Sequence, residues 1–182
     1  MPSPSSLTCD DKPVHGKTRL DIYTDGSSLG NPGPSGWAFV AVAIDEAGRV
    51  IDRQERFMPG RSVSTNNRAE MAAALNAMQF ARDYRTPSGQ TVQSVTIATD
   101  SQYVAKAFPE WLPKWIARGW QKSNGDAVEN RDLWERMIAA ADGLELTWCK
   151  IKGHSGHPEN ERADVLAKAA AERAAEQLTC RR

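Results

Sequence analysis

Two short stretches of this 182-residue chain share one pattern, and each carries an aspartate. The stretch beginning at Asp21 reads DIYTDGSS, and the stretch beginning at Thr96 reads TIATDSQY. In both, an apolar strand-like run leads to Thr-Asp and then turns polar, at Asp25 and at Asp100. Sites in open α/β sheets tend to form just beyond the carboxyl ends of strands. If the two strands are adjacent and parallel, these carboxylates are expected to face each other across one crevice.

Two further acids lie near the starts of helical patterns. Glu70 falls near the start of the first long helix, and Asp164 falls near the start of the last one. Four carboxylates within a few ångströms would repel one another strongly unless a cation held them. Carboxylate oxygens are the ligands that hard dications such as Mg²⁺ and Mn²⁺ prefer. The four acids together predict a divalent-metal site, although either Thr-Asp motif alone is more typical of a turn or helix cap.

The first half of the chain supplies the elements that would position these acids. A strand is predicted from Leu20, followed by the loop GSSLGNPGPSG, the apolar run WAFVAVAI and its more polar partner RVIDRQERF. Three strands in succession favour an antiparallel meander. After a polar loop, Thr65 is placed to cap a helix, in which Met71, Leu75 and Met78 recur on one buried face.

The second half continues the alternation of strands and helices. QSVTIATD is predicted as a fourth strand, SQYVAKAF as a helix, and LELTWCKI as a fifth strand with Leu144, Leu146 and Trp148 on one side. A helix is also predicted near residues 132–140, and a last one with Pro158 in its first turn. The order predicts an α/β fold: a five-stranded mixed sheet, its first three strands antiparallel, flanked by helices.

Bulk properties limit the function classes. The chain is 40% hydrophobic and 25% charged, which is typical of one globular domain. Because its formal net charge is zero, nucleic-acid affinity would have to come from local basic patches or bound cations. The three cysteines and the absence of a signal-peptide pattern favour the cytoplasm. No apolar run approaches the roughly 20 residues that span a bilayer, so no membrane association is expected.

We predict a disordered tail over residues 1–17, a domain over 18–178 and a C-terminal tail over 179–182.

Four motifs occur in a fixed order: TDGS followed by GNPGPSGW, then TNNRAE, TDSQYV and KGHSGHPENERAD. Together they resemble the type 1 ribonuclease H family from about residue 19 to about residue 175. The resemblance implies a ribonuclease H-like fold and an endonuclease that cuts the RNA strand of RNA–DNA hybrids, leaving 3′-hydroxyl and 5′-phosphate ends. It also implies that the partner is the hybrid duplex and that the protein is a monomer with no obligate protein partner.

The same resemblance assigns the catalytic groups. The family's four carboxylates fall on Asp25, Glu70, Asp100 and Asp164, and they hold two Mg²⁺ ions, for which Mn²⁺ can substitute. Two such ions can clamp an in-line displacement, one at the attacking water and one at the leaving oxygen. His154 matches a loop histidine that the family uses for proton transfer or for product release.

The resemblance also assigns substrate contacts. Those to the RNA strand fall on Gly26, Ser27, Asn66, Asn67 and Gln102. Those to the DNA strand fall on Asn31 and Thr65, which hold a phosphate, and on the aromatic wall formed by Trp111 and Trp115. Two of these assignments have a plain structural alternative, since Asn-Asn before a helix is ordinary capping chemistry and tryptophans four residues apart are typical of a core.

One loop departs from the family pattern. Where the better-known bacterial members carry a basic handle, this chain has QKSNGDAVEN, with Lys122 set against Asp126 and Glu129. Fewer phosphate contacts imply weaker hybrid binding and a shallower salt dependence.

Other functions are compatible with parts of the pattern. Cys149, His154 and His157 could be read as zinc ligands, but the C-x-x-C spacing of common zinc sites is absent. An integrase, transposase or resolvase would keep the acids but lack TNNRAE and GHSGHPENERAD. A non-catalytic hybrid-binding protein would have lost a carboxylate, whereas all four are present. The plainest alternative is an α/β domain whose aspartates only cap turns.

Overall fold

The computed structural model describes residues 17–153 and 156–180. The five strands are β1 (Arg19–Ser28), β2 (Gly33–Ile44), β3 (Val50–Ser64), β4 (Ser94–Thr99) and β5 (Leu146–Lys150). The helices are α1 (Asn66–Asp83), α2 (Gln102–Lys106), α3 (Leu112–Ala117), α4 (Arg131–Ala141) and α5 (Pro158–Thr179), and a π-helical turn over Ala107–Trp111 joins α2 to α3.

The strands form one mixed sheet in the order β3-β2-β1-β4-β5. The first three are antiparallel, β4 runs parallel to β1, and β5 runs parallel to β4. The predicted α/β fold with a five-stranded mixed sheet is therefore confirmed. Because β1 lies in the middle of the sheet, side chains on both of its faces are buried, including Ile22 on one face and Tyr23 on the other.

Helices cover both faces of the sheet and build a core on each side. On one face, Met71, Leu75 and Met78 of α1 pack with Ile22 and other strand residues, as their helical spacing predicts. On the other face, α5 presents small side chains to β1 and β2, and its Ala163 and Ala167 are fully buried. Among the described residues, no helix is both long and apolar enough to cross a membrane.

The start of α1 is set by a side-chain cap. The Thr65 hydroxyl oxygen accepts a hydrogen bond from the backbone N–H of Arg68 at 3.3 Å, which satisfies one of the unpaired donors of the first turn. The cap fixes where the helix begins, and it thereby places Glu70 in the first turns of α1.

Three strand boundaries differ from the sequence-based expectations. The predicted polar loop after Phe57 is strand, because β3 continues to Ser64; it pairs only with β2, and an edge strand tolerates polar residues and Pro59. Similarly, β1 does not end at Asp25 but continues to Ser28 along β2. At the start of β5, Leu144 lies outside the strand, which begins two residues later.

The predicted domain limits stay predictions. Nearly all of the tail expected over residues 1–17 lies outside the described residues, as does His154. The C-terminal helix continues to Thr179, one residue beyond the predicted end of the domain.

Candidate active site

The strand pairing brings the two repeated aspartates together. β1 and β4 are adjacent and parallel, and their register ends at Thr24 opposite Thr99. Asp25 and Asp100 directly follow these two residues in the sequence, so both carboxylates lie at the same end of the paired strands. With Glu70 of α1, they form a group whose ligand oxygens all lie within 4.8 Å of one another.

Glu70 reaches this group because α1 crosses very close to β1. The backbone N–H of Gly26 donates to Oε2 of Glu70 at 3.1 Å. A Cβ on Gly26 would lie 2.2 Å from the carbonyl carbon of Ala69 and from the nitrogen of Glu70, so only glycine allows this approach. The bond also occupies the Gly26 N–H, which leaves other backbone groups around Gly26 and Ser27 for the RNA-strand contact that the family resemblance implies.

Burial and mutual repulsion make this group costly to ionise. Burial, together with the charges of Asp100 and Asp164, raises the pKa of Asp25 to about 7. Burial and the Asp25 charge likewise raise the pKa of Glu70 well above its ordinary value. Carboxylates that resist ionisation in isolation are stabilised as anions by a bound cation.

Asp164 lies apart from this group of three and has a counter-ion of its own. Its Oδ2 accepts from the ammonium of Lys168 at 2.7 Å, one turn further along α5. The Lys168 charge also opposes the rise in the pKa of Asp25, so it acts on the same site. The spacing of four residues on a helix is a signal from which Lys168 could have been found in the sequence.

The loop after β5 packs against Asp100. A Cβ on Gly153 would lie 2.5 Å from Oδ2 of Asp100, so a larger residue at this position would require the Asp100 carboxylate to shift. His154 follows directly in the sequence, but the structure does not describe it, and its predicted catalytic role stays a prediction.

One cavity of the structure, here called the donor pocket, has a volume of about 370 Å³. It is lined by Asn31, Thr65, Asn67, Glu129 and Asn130. The Asn31 oxygen accepts from the backbone N–H of Asn66 at 3.2 Å, so the Asn31 amino group can donate to a ligand. The Thr65 oxygen accepts from Arg68, so its own hydrogen is also available to a ligand.

Asn130 is a candidate site residue that the sequence reasoning missed. It precedes α4 in the left-handed conformation, with φ at 57°, and its oxygen accepts from Arg68 at 3.1 Å. Thr65 and Asn130 are the N-caps of α1 and α4, so the partly positive ends of two helices meet at the donor pocket. A helix-capping position before α4 was the available sequence signal, but it gave no indication of proximity to α1.

The other predicted contacts are spread over neighbouring elements. Asn66, Asn67 and Gln102 are exposed at the starts of α1 and α2, and Ser27 is half-buried near the end of β1. Trp111 and Trp115 are partly buried against the core and contact each other, with ring centroids 5.9 Å apart.

The zinc alternative gains no support from the described residues. Within them, the side chains that converge as metal ligands are Asp25, Glu70 and Asp100, and neither Cys149 nor His157 joins that group. Cys149 is buried on β5, and the ring of His157 packs against Tyr23 with centroids 4.6 Å apart.

The protein has a mixed α/β sheet with a group of acids where two adjacent parallel strands cease to pair; Asp25 of this group is buried and Asp100 is half-buried. Comparison with known proteins identifies the family that has this arrangement. The sequence matches the RNase H family over residues 17–172. It is 44% identical over 163 residues to the ribonuclease H of Treponema pallidum, covering 86% of this chain and 93% of that protein.

Solved structures agree with the sequence match. The crystal structure of LC9-RNase H1, a type 1 RNase H with the type 2 active-site motif, superposes with a TM-score of 0.71 at 28% identity, covering 89% of this chain and 74% of that one. LC11-RNase H1, solved in complex with an RNA/DNA hybrid, shares the fold with a TM-score of 0.56 at 22% identity, covering 85% of this chain and 98% of that one. The chain therefore belongs to the RNase H family, and the resemblance to its type 1 members is confirmed.

Proposed function

We propose that this ribonuclease hydrolyses the RNA strand of RNA–DNA hybrids at the site formed by Asp25, Glu70, Asp100 and Asp164, leaving 3′-hydroxyl and 5′-phosphate ends. The observation that carries the proposal is the convergence of three of these carboxylates within 4.8 Å at the ends of β1 and β4. Three acids from separate segments of the chain meet there although burial disfavours the charges of Asp25 and Glu70.

The residues of this group suit divalent metal ions. They offer only hard oxygen ligands, and a bound cation would offset the burial and mutual repulsion that raise the pKa values of Asp25 and Glu70. Asp25, Glu70 and Asp100 would hold Mg²⁺ or Mn²⁺, and Asp164 would complete a second position. Bound there, two such ions supply the positive charge that activates a water molecule and stabilises the leaving oxygen.

The remaining polar groups of the site would bind the hybrid and position its RNA strand at the carboxylates. A 2′-hydroxyl both donates and accepts hydrogen bonds, and amide side chains can meet both halves of it. Asn67 and Gln102 have exposed amide side chains that suit that contact. Asn67 lies on α1, which also carries Glu70, and Gln102 begins α2, two residues after Asp100. The donor pocket presents hydrogen-bond donors from Asn31, Thr65 and Asn130 at two helix ends, which suits a phosphate of the DNA strand.

His154 keeps its predicted part in proton transfer or product release. Since bound ions can still activate water without it, His154→Ala is expected to slow turnover without abolishing it. Steady-state rates of the variant and the parent at saturating Mg²⁺ measure the difference. A loss of metal binding in this variant would instead revive the zinc assignment. The monomeric state and the cytoplasmic location likewise stay predictions.

The test of the proposed function is cleavage of one end-labelled RNA in three forms: single-stranded, in duplex RNA and in an RNA–DNA hybrid. Each form is incubated with Mg²⁺ or with EDTA, and the products are separated on a denaturing gel. We expect cleavage only of the hybrid and only with Mg²⁺. A kinase should label the new 5′ ends of the products only after a phosphatase has removed their 5′-phosphates. Equal cleavage of duplex RNA, or full activity in EDTA, would refute the proposal.

A further inference from the structure

We infer that Arg68 is a positioning residue for substrate binding, which holds the Asn130 carboxamide so that its amino group faces the donor pocket. This inference rests on the proposed function, because it assumes that the donor pocket binds a phosphate of the hybrid.

The orientation of Asn130 follows from the chemistry of its partner. A guanidinium has hydrogen-bond donors and no acceptor. The group 3.1 Å from Nη1 of Arg68 must therefore be the carboxamide oxygen of Asn130, and the amino group must point away from Arg68. Asn130 lines the donor pocket, so its two amino hydrogens are available there.

A bidentate ion pair with Asp132, here called the fork, holds Arg68 in place. Its Nη1 and Nη2 donate to the two carboxylate oxygens of Asp132 at 2.9 and 2.7 Å. This bidentate geometry fixes the plane of the guanidinium, which a single contact would not do. Since Asp132 lies in the first turn of α4, the fork ties Arg68 of α1 to the segment that carries Asn130.

The Asn130 carboxamide depends on Arg68 for its orientation. The Asn130 side chain makes no capping bond to its own helix, α4, which the structure describes in full. Without Arg68, the carboxamide could rotate and present its oxygen to the pocket, where it would repel a phosphate. The backbone N–H of Arg68 also donates to the Thr65 hydroxyl, so one residue orients donors on both walls of the pocket.

Stability alone accounts poorly for this arrangement. The side chains of Arg68 and Asp132 are 36% and 60% exposed, and ion pairs at such positions contribute little to folding. Nη1 of Arg68 has no hydrogen left for a phosphate, because it donates to both Asp132 and Asn130. The bond to Asn130 is the contact that links Arg68 to the donor pocket, so we assign Arg68 to orientation of the carboxamide.

The experiment is a double-mutant cycle between Arg68→Lys and Asn130→Ala, read as kcat and KM on one hybrid. Lysine keeps the charge but cannot form the fork. We expect Arg68→Lys to raise KM roughly fivefold to tenfold, the scale of losing one ordinary hydrogen bond, with kcat nearly unchanged. Asp132→Asn, which weakens the fork from the other side, should raise KM in the same direction. If Arg68 acts through Asn130, adding Arg68→Lys to Asn130→Ala should raise KM little further.

Arg162→Lys is the matched control, because Arg162 forms an equally bidentate pair with Glu55 on the other face of the sheet. It should leave KM unchanged, and melting temperatures of all variants show whether each is folded. Fully additive effects of Arg68→Lys and Asn130→Ala would overturn the positioning role while leaving the phosphate pocket in place. An unchanged KM in Asn130→Ala would overturn both the pocket and this inference, although hybrid cleavage by the parent would still support the proposed activity.

Discussion

The surroundings of Asp25 disfavour its negative charge. It is 7% exposed, and its neighbours are two further acids, so its negative charge is poorly solvated in the absence of a metal ion. The sequence echo predicted that Asp25 and Asp100 would meet if their strands were adjacent and parallel, and the observed pairing of β1 with β4 meets that condition. The contact between Asp164 and Lys168 was not predicted, although their helical spacing was visible.

The raised pKa of Asp25 predicts that the metal-free protein loses stability as the pH rises. The ordinary pKa of an aspartate is 3.8, whereas that of Asp25 in the folded protein is about 7, so the folded state binds the proton more tightly. The resulting stabilisation is present below pH 4 and is lost as the pH passes 7. Asp25→Asn removes the charge and should increase the free energy of unfolding at pH 8 by roughly 2 to 4 kcal/mol, since one pKa unit is about 1.4 kcal/mol.

Urea unfolding at pH 5 and pH 8 in EDTA measures this effect. The gain from Asp25→Asn should be much smaller at pH 5 than at pH 8. Asp83→Asn is the control, because the Asp83 side chain is 81% exposed and should show no such dependence. A gain of equal size at both pH values would show that the Asp25 charge is not the cause.

Lys168 is expected to compete with a divalent ion for Asp164. The 2.7 Å contact supplies a positive charge that a second ion would otherwise provide. Lys168→Gln should therefore tighten Mn²⁺ or Mg²⁺ binding about threefold to tenfold, as measured by titration calorimetry on the free protein. Arg131→Gln removes a similar (i, i+4) ion pair, with Glu135, and serves as the control for net charge. Unchanged or weaker ion binding in Lys168→Gln would contradict the competition.

At the scale of the elements, α1 connects the two parts of the site. Its cap at Thr65 belongs to the donor pocket, and Glu70, five residues later, belongs to the carboxylate group. At 1.5 Å per residue, these positions are separated by about 7.5 Å along the helix axis. The placement of α1 on β1 therefore sets the distance between the phosphate site and the catalytic carboxylates.

Gly26→Ala should disturb this placement. The added methyl would collide with the backbone of α1 at 2.2 Å, and a helix cannot yield there as a flexible side chain could. We expect a loss of about 2 to 4 kcal/mol in the free energy of unfolding, within the range seen for overpacking and strain. Activity should fall as well, because Glu70 is carried by the displaced helix.

Gly89→Ala is the control that distinguishes a steric collision from the cost of placing alanine at a positive φ. Gly89 has φ at 82° but nothing within 4 Å of its added methyl, so only about 1 kcal/mol should be lost. Urea unfolding of both variants compares them. Similar losses in the two would argue against a close approach of α1 to β1.

The handle loop between α3 and α4 is where charge should control affinity. Lys122 is paired with Glu129 at 2.7 Å, and Glu129 lines the donor pocket, so the one lysine of this loop is neutralised beside the predicted phosphate site. Changing both Asp126 and Glu129 to lysine should lower KM and make log KM depend more steeply on log salt, by about two in slope. The kcat should move little.

A salt series on one fixed hybrid tests the handle. Glu46→Lys, in the turn between β2 and β3 at the far end of the sheet, controls for the change in net charge. Superimposable KM curves for the parent and the double variant would show that the handle does not contact substrate. Trp111, Trp115 and Arg118 would then be the next residues to test.

Across the whole molecule, the sequence was sufficient for the fold because its strongest patterns are local. Alternation, apolar runs and helix caps identified every strand, and the ordered motifs identified the family. The part of β3 after Phe57 was not predicted, because Pro59 and the polar residues around it are typical of a loop. An edge strand tolerates them, since it pairs with a neighbour on one side only. In the donor pocket, Asn31, Thr65 and Asn67 were predicted as substrate contacts. Asn130 and Arg68 were not, because their place there depends on α4 packing against α1, and nothing local to either residue indicates that contact.

The whole chain has no net charge, so its affinity for a polyanion has to arise at the site itself. The most direct test is cleavage of one end-labelled RNA–DNA hybrid by the parent, Asp25→Asn and Asp83→Asn on the same gel at saturating Mg²⁺. We expect cleavage of the RNA strand by the parent and by Asp83→Asn, and no detectable cleavage by a folded Asp25→Asn. Cleavage by Asp25→Asn at a rate close to that of the parent would contradict the assignment of the carboxylate group as the active site.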